Sequence, residues 1–184
     1  MILILTGVPG TGKDTIAAKL EQQGFIWLSL NKIVKRHELW DRKEKNCLVV
    51  NIKKLEKEIK KQTKKIKLSS EKKDILIEGH LACELKIPAN LCIVLRTDPE
   101  VLRERLRKRE YKKEKIEENI LCEELDYCTQ NAEKNLDCQV YEVRTDKKLK
   151  ETLEDIEKIL SNKGKKFKAG RIDWSSYLLK REKI

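Results

Sequence analysis

The segment Gly7-Val8-Pro9-Gly10-Thr11-Gly12-Lys13-Asp14-Thr15 has residue types and spacing that can hold a triphosphate. It fits G-x-x-x-x-G-K, in which glycines let backbone N–H groups approach phosphate oxygens and the lysine supplies a point charge to the β- and γ-phosphates. The free N–H groups and positive dipole end of a helix opening near Lys13 add to the attraction. Nothing in the loop reads a base, so it implies a nucleoside triphosphate without specifying which. Asp14 stands where the motif usually has a hydroxyl residue for Mg²⁺, and Thr15 follows one place late. Either the Asp14 carboxylate, directly or through water, or the Thr15 hydroxyl is a candidate for the ion, and the sequence leaves both open.

A second constellation is Glu78-Gly79-His80. An apolar run leads into it, and a carboxylate closing a buried strand beside a phosphate loop orients Mg²⁺ or its water shell. This makes Glu78 a third metal candidate. His80 is a candidate for orienting water or carrying a proton. A third constellation is Arg103, Arg105 and Arg109, followed by Glu110-Tyr111-Lys112-Lys113. Phosphoryl transfer spreads charge over equatorial oxygens that arginines neutralise. Arg105 and Arg109 lie four apart, on one helix face. A charged hinge near Arg109 can close over a nucleotide, whereas Arg103 and Arg107 read as solvated helix charge.

The elements that must position these groups follow from periodicity. Ile2 to Leu5 is a short apolar strand before the loop, and Ile16 to Leu20 continues a helix after it. Phe25 to Leu30 reads as a second strand and Asn31 to about Leu39 as a short helix. Trp40 to Asn46 is charged and turn-like. From Asn51, Ile52, Leu55, Ile59 and Ile66 recur at helical spacing. Asp74 to Glu78, Leu91 to Leu95 and Cys138 to Val143 supply three more strands. Thr97-Asp98-Pro99-Glu100 starts a helix with a capping residue, an N1 proline and an acid in the first turn. A longer helix is expected from about Lys113 to Asn131, another through Leu149 to Leu160, and a last short one near Trp174 to Leu179, docked on the body.

Strands alternating with helices predict an α/β three-layer fold with a five-stranded parallel sheet covered on both faces. Ligands then bind beyond the carboxyl ends of the strands, where the loop, Ser29, Glu78 with His80, and Arg96 would meet. The 184 residues suit one domain, and no linker or repeat divides them. With 40% charged residues the chain is very polar, and its mean hydropathy is −0.64, yet its apolar residues are periodic, which excludes disorder. No stretch is long enough for a membrane span, and the first is too short for a signal peptide, so a soluble cytoplasmic protein without a membrane partner is expected. Six cysteines without a C-x-x-C pair, and only two histidines, argue against zinc and for reduced core thiols. The 42 Lys and Arg against 31 Asp and Glu leave a charge of +11, which favours polyanions or simply solvates helix faces. Lys163 to Lys168 is the basic part of a tail over 162–184. It reads as a solvated linker or an RNA contact.

Together, Gly7 to Lys13, Glu78-Gly79-His80, Val94 to Asp98, Arg105-Leu106 through Arg109-Glu110-Tyr111, and Lys115 to Asn119 resemble the adenylate kinase isoenzyme 6 family within the P-loop nucleoside monophosphate kinases. That family spans archaeal adenylate kinases and the eukaryotic factor Fap-seven, or CINAP. The resemblance covers about residues 1 to 160. It implies a P-loop fold with a monophosphate-binding region near 29–52 and a short lid near 108–118. It implies broad monophosphate phosphorylation with AMP favoured, ATP hydrolysis with Mg²⁺, and a role in small ribosomal subunit maturation through a ribosomal protein of the platform, with rRNA nearby. Gly10, Thr11, Gly12, Lys13, Asp14, Thr15 and Arg109 would hold ATP. Ser29, Lys35 and Arg36 would serve the acceptor. Lys13, Glu78, His80 and Arg109 would carry the chemistry. The sequence departs from the family in Asp14, in Glu78 where an Asp is common, in Lys32 where an Asp is common, and in Glu110, which replaces a glycine after the lid arginine.

Overall fold

Each strand of the main sheet alternates its apolar residues between two cores. Ile2 and Ile4 of β1 (Ile2–Thr6) face one side with Ile75, Ile77, Cys92 and Val94, while Leu3 and Leu5 face the other with Leu76, Ile93 and Leu95. Both faces are buried, as in a parallel sheet flanked by helices. The computed structural model describes residues 1–44, 47–69 and 73–181.

The sheet order is β2-β5-β1-β6-β7, formed by Ile26–Ser29, Ile75–Glu78, Ile2–Thr6, Leu91–Arg96 and Gln139–Arg144, with every pairing parallel. Helices α1 (Lys13–Gln22) and α7 (Leu149–Leu160) cover the odd face of β1 through Ile16, Leu20, Ile156 and Ile159. Helices α2 (Leu30–His37), α3 (Ile52–Leu68), α4 (Pro99–Lys108), α5 (Lys113–Glu124) and α6 (Tyr127–Asn135) contribute to the other core. After β1 the chain crosses to one edge, and it later returns to the other side of β1. The carboxyl end of β1 is therefore a switch point where a crevice opens. The loop Gly7–Gly12 occupies that point.

Two elements differ from the sequence expectation. Trp40–Glu44 forms strand β3, paired antiparallel with β4 (Cys47–Val50) in a separate hairpin. Its sequence, WDRKE, lacks apolar alternation, so pairing with Cys47–Val50 is what makes it a strand; Lys45 and Asn46 lie outside the described residues. The long helix expected from Lys113 is broken. Asp126 has φ 54, in the left-handed region, and separates α5 from α6. The break places the Asp126 carboxylate on Arg96.

The C-terminal segment is docked. Lys168 bridges Tyr141 beside β7, the Ala169 N–H donates to the Val140 carbonyl, and the short helix α8 (Ser175–Arg181) ends the described chain. Residues 163–168 are thus tied to the sheet edge and do not form a free linker.

Candidate active site

The loop is shaped at positions that favour glycine over any residue with a side chain. A Cβ on Gly7 would lie 2.5 Å from the Leu95 carbonyl oxygen, so the loop can pass β6 only without a side chain. Gly12 caps α1 with φ 89, a left-handed conformation that lets the chain turn into the helix. Thr11 donates its hydroxyl to the Val8 carbonyl at 2.9 Å and is fully buried, so its side chain braces the loop. Lys13 is also buried, and its Nζ donates to the carbonyls of Gly7 and Val8 at 2.8 and 3.0 Å. Burial lowers its pKa, and the Glu78 and Asp14 carboxylates oppose the shift.

Glu78 closes β5, aligned with Ser29 of β2 and Leu5 of β1, and is 1% exposed. Burial raises its pKa and Lys13 opposes the rise. Among the described residues no donor reaches its Oε2 with hydrogen-bond geometry, although the side chains of Ser29 and Trp27 lie beside the carboxylate. A buried, unsatisfied carboxylate oxygen costs free energy unless a donor or cation meets it. Mg²⁺ is commonly held by one or two carboxylates plus phosphates and water, so Glu78 and Asp14 fit it without a larger cluster. His80 follows on a 3-10 turn (His80–Glu84), and burial with the charges of Lys13 and Lys115 pushes its pKa down to about 4. At neutral pH it is an uncharged imidazole.

Three adjoining cavities run across this end of the sheet. The middle one, ≈ 180 Å³, is lined by Lys13, Asp14, Glu78, His80, Arg109 and Tyr111, among others. On one side lies a cavity of ≈ 390 Å³ between Gly10, Gly12, Thr15, Arg105, Arg109 and Thr145. On the other lies one of ≈ 550 Å³ reaching from Asn31, Lys35 and His80 to Val50, Tyr111 and Lys115. Gly10, Gly12 and Arg109 belong to both the first and the middle cavity, and Pro9, Asn31, His80 and Tyr111 to both the middle and the third.

This arrangement separates the sequence candidates. Asp14 shares the middle cavity with Glu78, whereas Thr15 faces the outer one. Lys35 lines the third cavity. Arg36 is exposed on α2 and lines none of the three, and Ser29 lies beneath them, buried beside Glu78. Arg96 does not reach the site. Its guanidinium is buried in a cage of Glu123 (2.7 Å), Glu142, Asp126 and Thr129, where the surrounding carboxylates raise its pKa. The cage also fastens the C-terminal segment. Glu123 accepts from Trp174 Nε1 at 3.1 Å, and Glu142 accepts from the N–H groups of Gly170 and Arg171. Arg103 is half-buried and pairs with Glu117, tying α4 to α5, where the sequence suggested solvated charge. Arg105 donates to the Thr145 carbonyl at 2.6 Å.

Asn31, Lys115, Asn119 and Thr145 also line these cavities without having been singled out as site residues. Thr145 sits beyond the carboxyl end of β7, where the strand-end rule would have found it. Lys115 and Asn119 come from α5, which only the helix packing brings over the crevice.

The fold and the three-cavity site define a P-loop kinase-type domain. Residues 3–126 match the family model described as an AAA domain. A solved deoxyadenosine kinase from M. mycoides, with dCMP and dCDP bound, superposes with a TM-score of 0.54 at 16% identity, over 88% of this chain and 100% of that one, a likeness of fold. A protein of Archaeoglobus fulgidus named "Putative adenylate kinase" is 33% identical over 97% of this chain and 94% of its own length. One of the same name from Methanocaldococcus jannaschii is 34% identical over 95% and 93%. The chain belongs to this archaeal adenylate kinase family, a family of nucleotide phosphotransferases.

Proposed function

We propose that this chain is a nucleoside monophosphate kinase that moves the γ-phosphoryl group of ATP to a monophosphate, AMP above others, yielding two nucleoside diphosphates. The observation that carries the reading is the row of three cavities, in which a phosphate-sized chamber holding Lys13 lies between two larger ones. The donor base and ribose fit the cavity beside Thr15 and Arg105. The acceptor fits the opposite cavity, where Lys35 and Lys115 offer cations to its phosphate and Val34, Leu48 and Val50 offer apolar walls. Within the family resemblance, Gly10, Thr11, Gly12, Lys13, Asp14 and Thr15 hold ATP, Thr11 by its backbone.

In this reading Lys13 and Arg109 neutralise charge on the transferring group from two sides. Glu78 and Asp14 would hold Mg²⁺, which when bound would neutralise phosphate charge during transfer. The acceptor phosphate is already ionised, so no strong general base is required. Neutral His80, lying between the middle and acceptor cavities, can orient an oxygen by hydrogen bonding. The lid over 108–118 carries Arg109, whose side chain borders the donor cavity and the middle chamber, and its closure would exclude water.

The same site supports ATP hydrolysis when water replaces the acceptor, oriented by His80 or Glu78. The isoenzyme 6 resemblance extends this to an assembly ATPase of the small ribosomal subunit, working in the cytoplasm on a platform protein and rRNA. The test is a panel: ATP with each monophosphate, with water alone, and with the platform protein. Phosphorylation of AMP that Lys13→Ala abolishes supports the kinase. Full transfer by Lys13→Ala would sink it. Hydrolysis that outpaces transfer, and rises with the platform protein, would favour the assembly reading.

A further inference from the structure

Helix α3 carries a concentration of charge that the three-cavity site does not use. Its 17 residues hold eight lysines against two glutamates, a net +6 of the whole chain's +11. Lys53, Lys54, Lys57, Lys60, Lys61, Lys64, Lys65 and Lys67 are all exposed. The opposite face is apolar and buried, through Leu55 and Ile59. Both acids point away from full neutralisation of the row. Glu56 accepts from the Lys86 N–H at 2.6 Å, and Glu58 accepts from Gln62, lies 3.7 Å from His37, and approaches Lys61 at 3.9 Å.

This arrangement costs the helix stability. Lysines at 57, 60, 61, 64 and 65 meet each other at three- and four-residue spacings, where like charges repel by roughly 0.2–0.5 kcal/mol per pair. No acid stands in the first turn to complement the helix dipole, while Lys53 and Lys54 do stand there. The row, from Lys53 to Lys67, spans about 21 Å at 1.5 Å per residue, on a helix held rigid by its packed face.

We propose that the exposed face of α3 is a docking surface for the phosphate backbone of a nucleic-acid duplex. Three features select this partner. A straight, rigid row of point charges suits a regularly spaced phosphate chain, which neutralises several lysines together. The face has no aromatic side chain, so it lacks the stacking platforms that unpaired strands use. A membrane surface would need an apolar face to insert, and that of α3 is already buried in the core. Recognition would be independent of sequence, because lysines on phosphates read no base. The inference does not depend on the kinase reading.

The experiment is fluorescence anisotropy with the full chain and labelled 20-base-pair RNA and DNA duplexes, over 50–200 mM salt, comparing K57E/K61E/K64E with K163E/K165E/K166E. Both variants are first checked for cooperative melting. Each lysine–phosphate contact on a duplex contributes about 0.9 to the slope of log K against log salt. Loss of three contacts should therefore lower that slope by about 2.7 and weaken binding roughly 500-fold at 100 mM salt. The second triple variant, in the docked C-terminal segment, should keep most of the affinity. The proposal is overturned if the wild type fails to bind duplex at 50 mM salt, or if the α3 variant binds like it. It is equally overturned if both variants lose affinity alike, if single strands bind better than duplexes, or if phosphatidylserine vesicles bind and duplexes do not.

Discussion

Replacing Glu110 by glycine should stabilise the protein, and the size of the gain follows from the end of α4. Arg109 caps that helix, and Glu110 follows with φ 57, in the left-handed region. The Tyr111 N–H donates to the Leu106 carbonyl at 3.2 Å, and the Glu110 N–H to the Arg107 carbonyl at 2.9 Å. These two bonds define a Schellman motif, whose left-handed position is normally glycine. A residue with a Cβ pays about 1–2 kcal/mol there. Glycine returns part of this by losing more backbone freedom on folding, about 0.4–1 kcal/mol. The net gain expected for Glu110→Gly is about 0.5–1 kcal/mol. For a chain of this size that raises the melting temperature by roughly 1–4 °C. Glu110 is exposed, so trimming it removes no packing. Glu110→Ala is the control, since it deletes the carboxylate and keeps the strained backbone; its melting temperature should stay within about 1 °C of wild type. Thermal melting by circular dichroism at pH 7 reads both. If glycine fails to raise the transition, or alanine raises it as much, backbone strain at the end of α4 is not the cause.

Arg96→Met should be among the most damaging single changes away from the cavities. It leaves Glu123 and Glu142 buried without their cation, at a cost of about 3–5 kcal/mol, and should release Trp174, visible as a red shift of tryptophan emission; unchanged melting and emission would show that the cage is not what fastens the C-terminal segment. Lys35→Ala should raise KM for AMP by about 10-fold or more, the loss of a charged contact, while Arg36→Ala should leave it within about two-fold; equal effects would contradict the placement of the acceptor. His80 should leave no limb near pH 6.5 in the rate of AMP phosphorylation, because its folded pKa is about 4. Its folded value lies below the unfolded one, so its contribution to stability is present above about pH 6.5 and lost as pH falls toward 4. His80→Asn should flatten that acid loss in melting experiments, and a wild-type rate limb at pH 6.5 that the variant lacks would refute the assignment.

The phosphate loop and its setting were legible in the sequence because they are local. A strand, a glycine loop and a helix follow one another from Ile2 to Gln22, and the spacing of Gly7, Gly12 and Lys13 is set by backbone geometry within that unit. The parallel sheet was legible for a related reason: doubly buried strands must be apolar at every position, and Ile75 to Ile77 and Leu91 to Leu95 are. Other features depended on contacts distant in sequence. Arg96 ends a strand just as a ligand-binding arginine would, and only the arrival of Glu123, Asp126 and Glu142 turns it into a structural cation. β3 exists through its partner strand, as its own residues carry no pattern. Asp14 and Thr15 are neighbours in sequence with equal claims on Mg²⁺. The first turn of α1 points them into different cavities, so that Asp14 alone shares a chamber with Glu78. The sequence by itself determined that a triphosphate loop opens a parallel α/β sheet, since those rules act over a few residues. Tertiary structure decided which charges face the crevice and which are consumed inside the fold, because burial and pairing are fixed only when separate helices close over the strand ends.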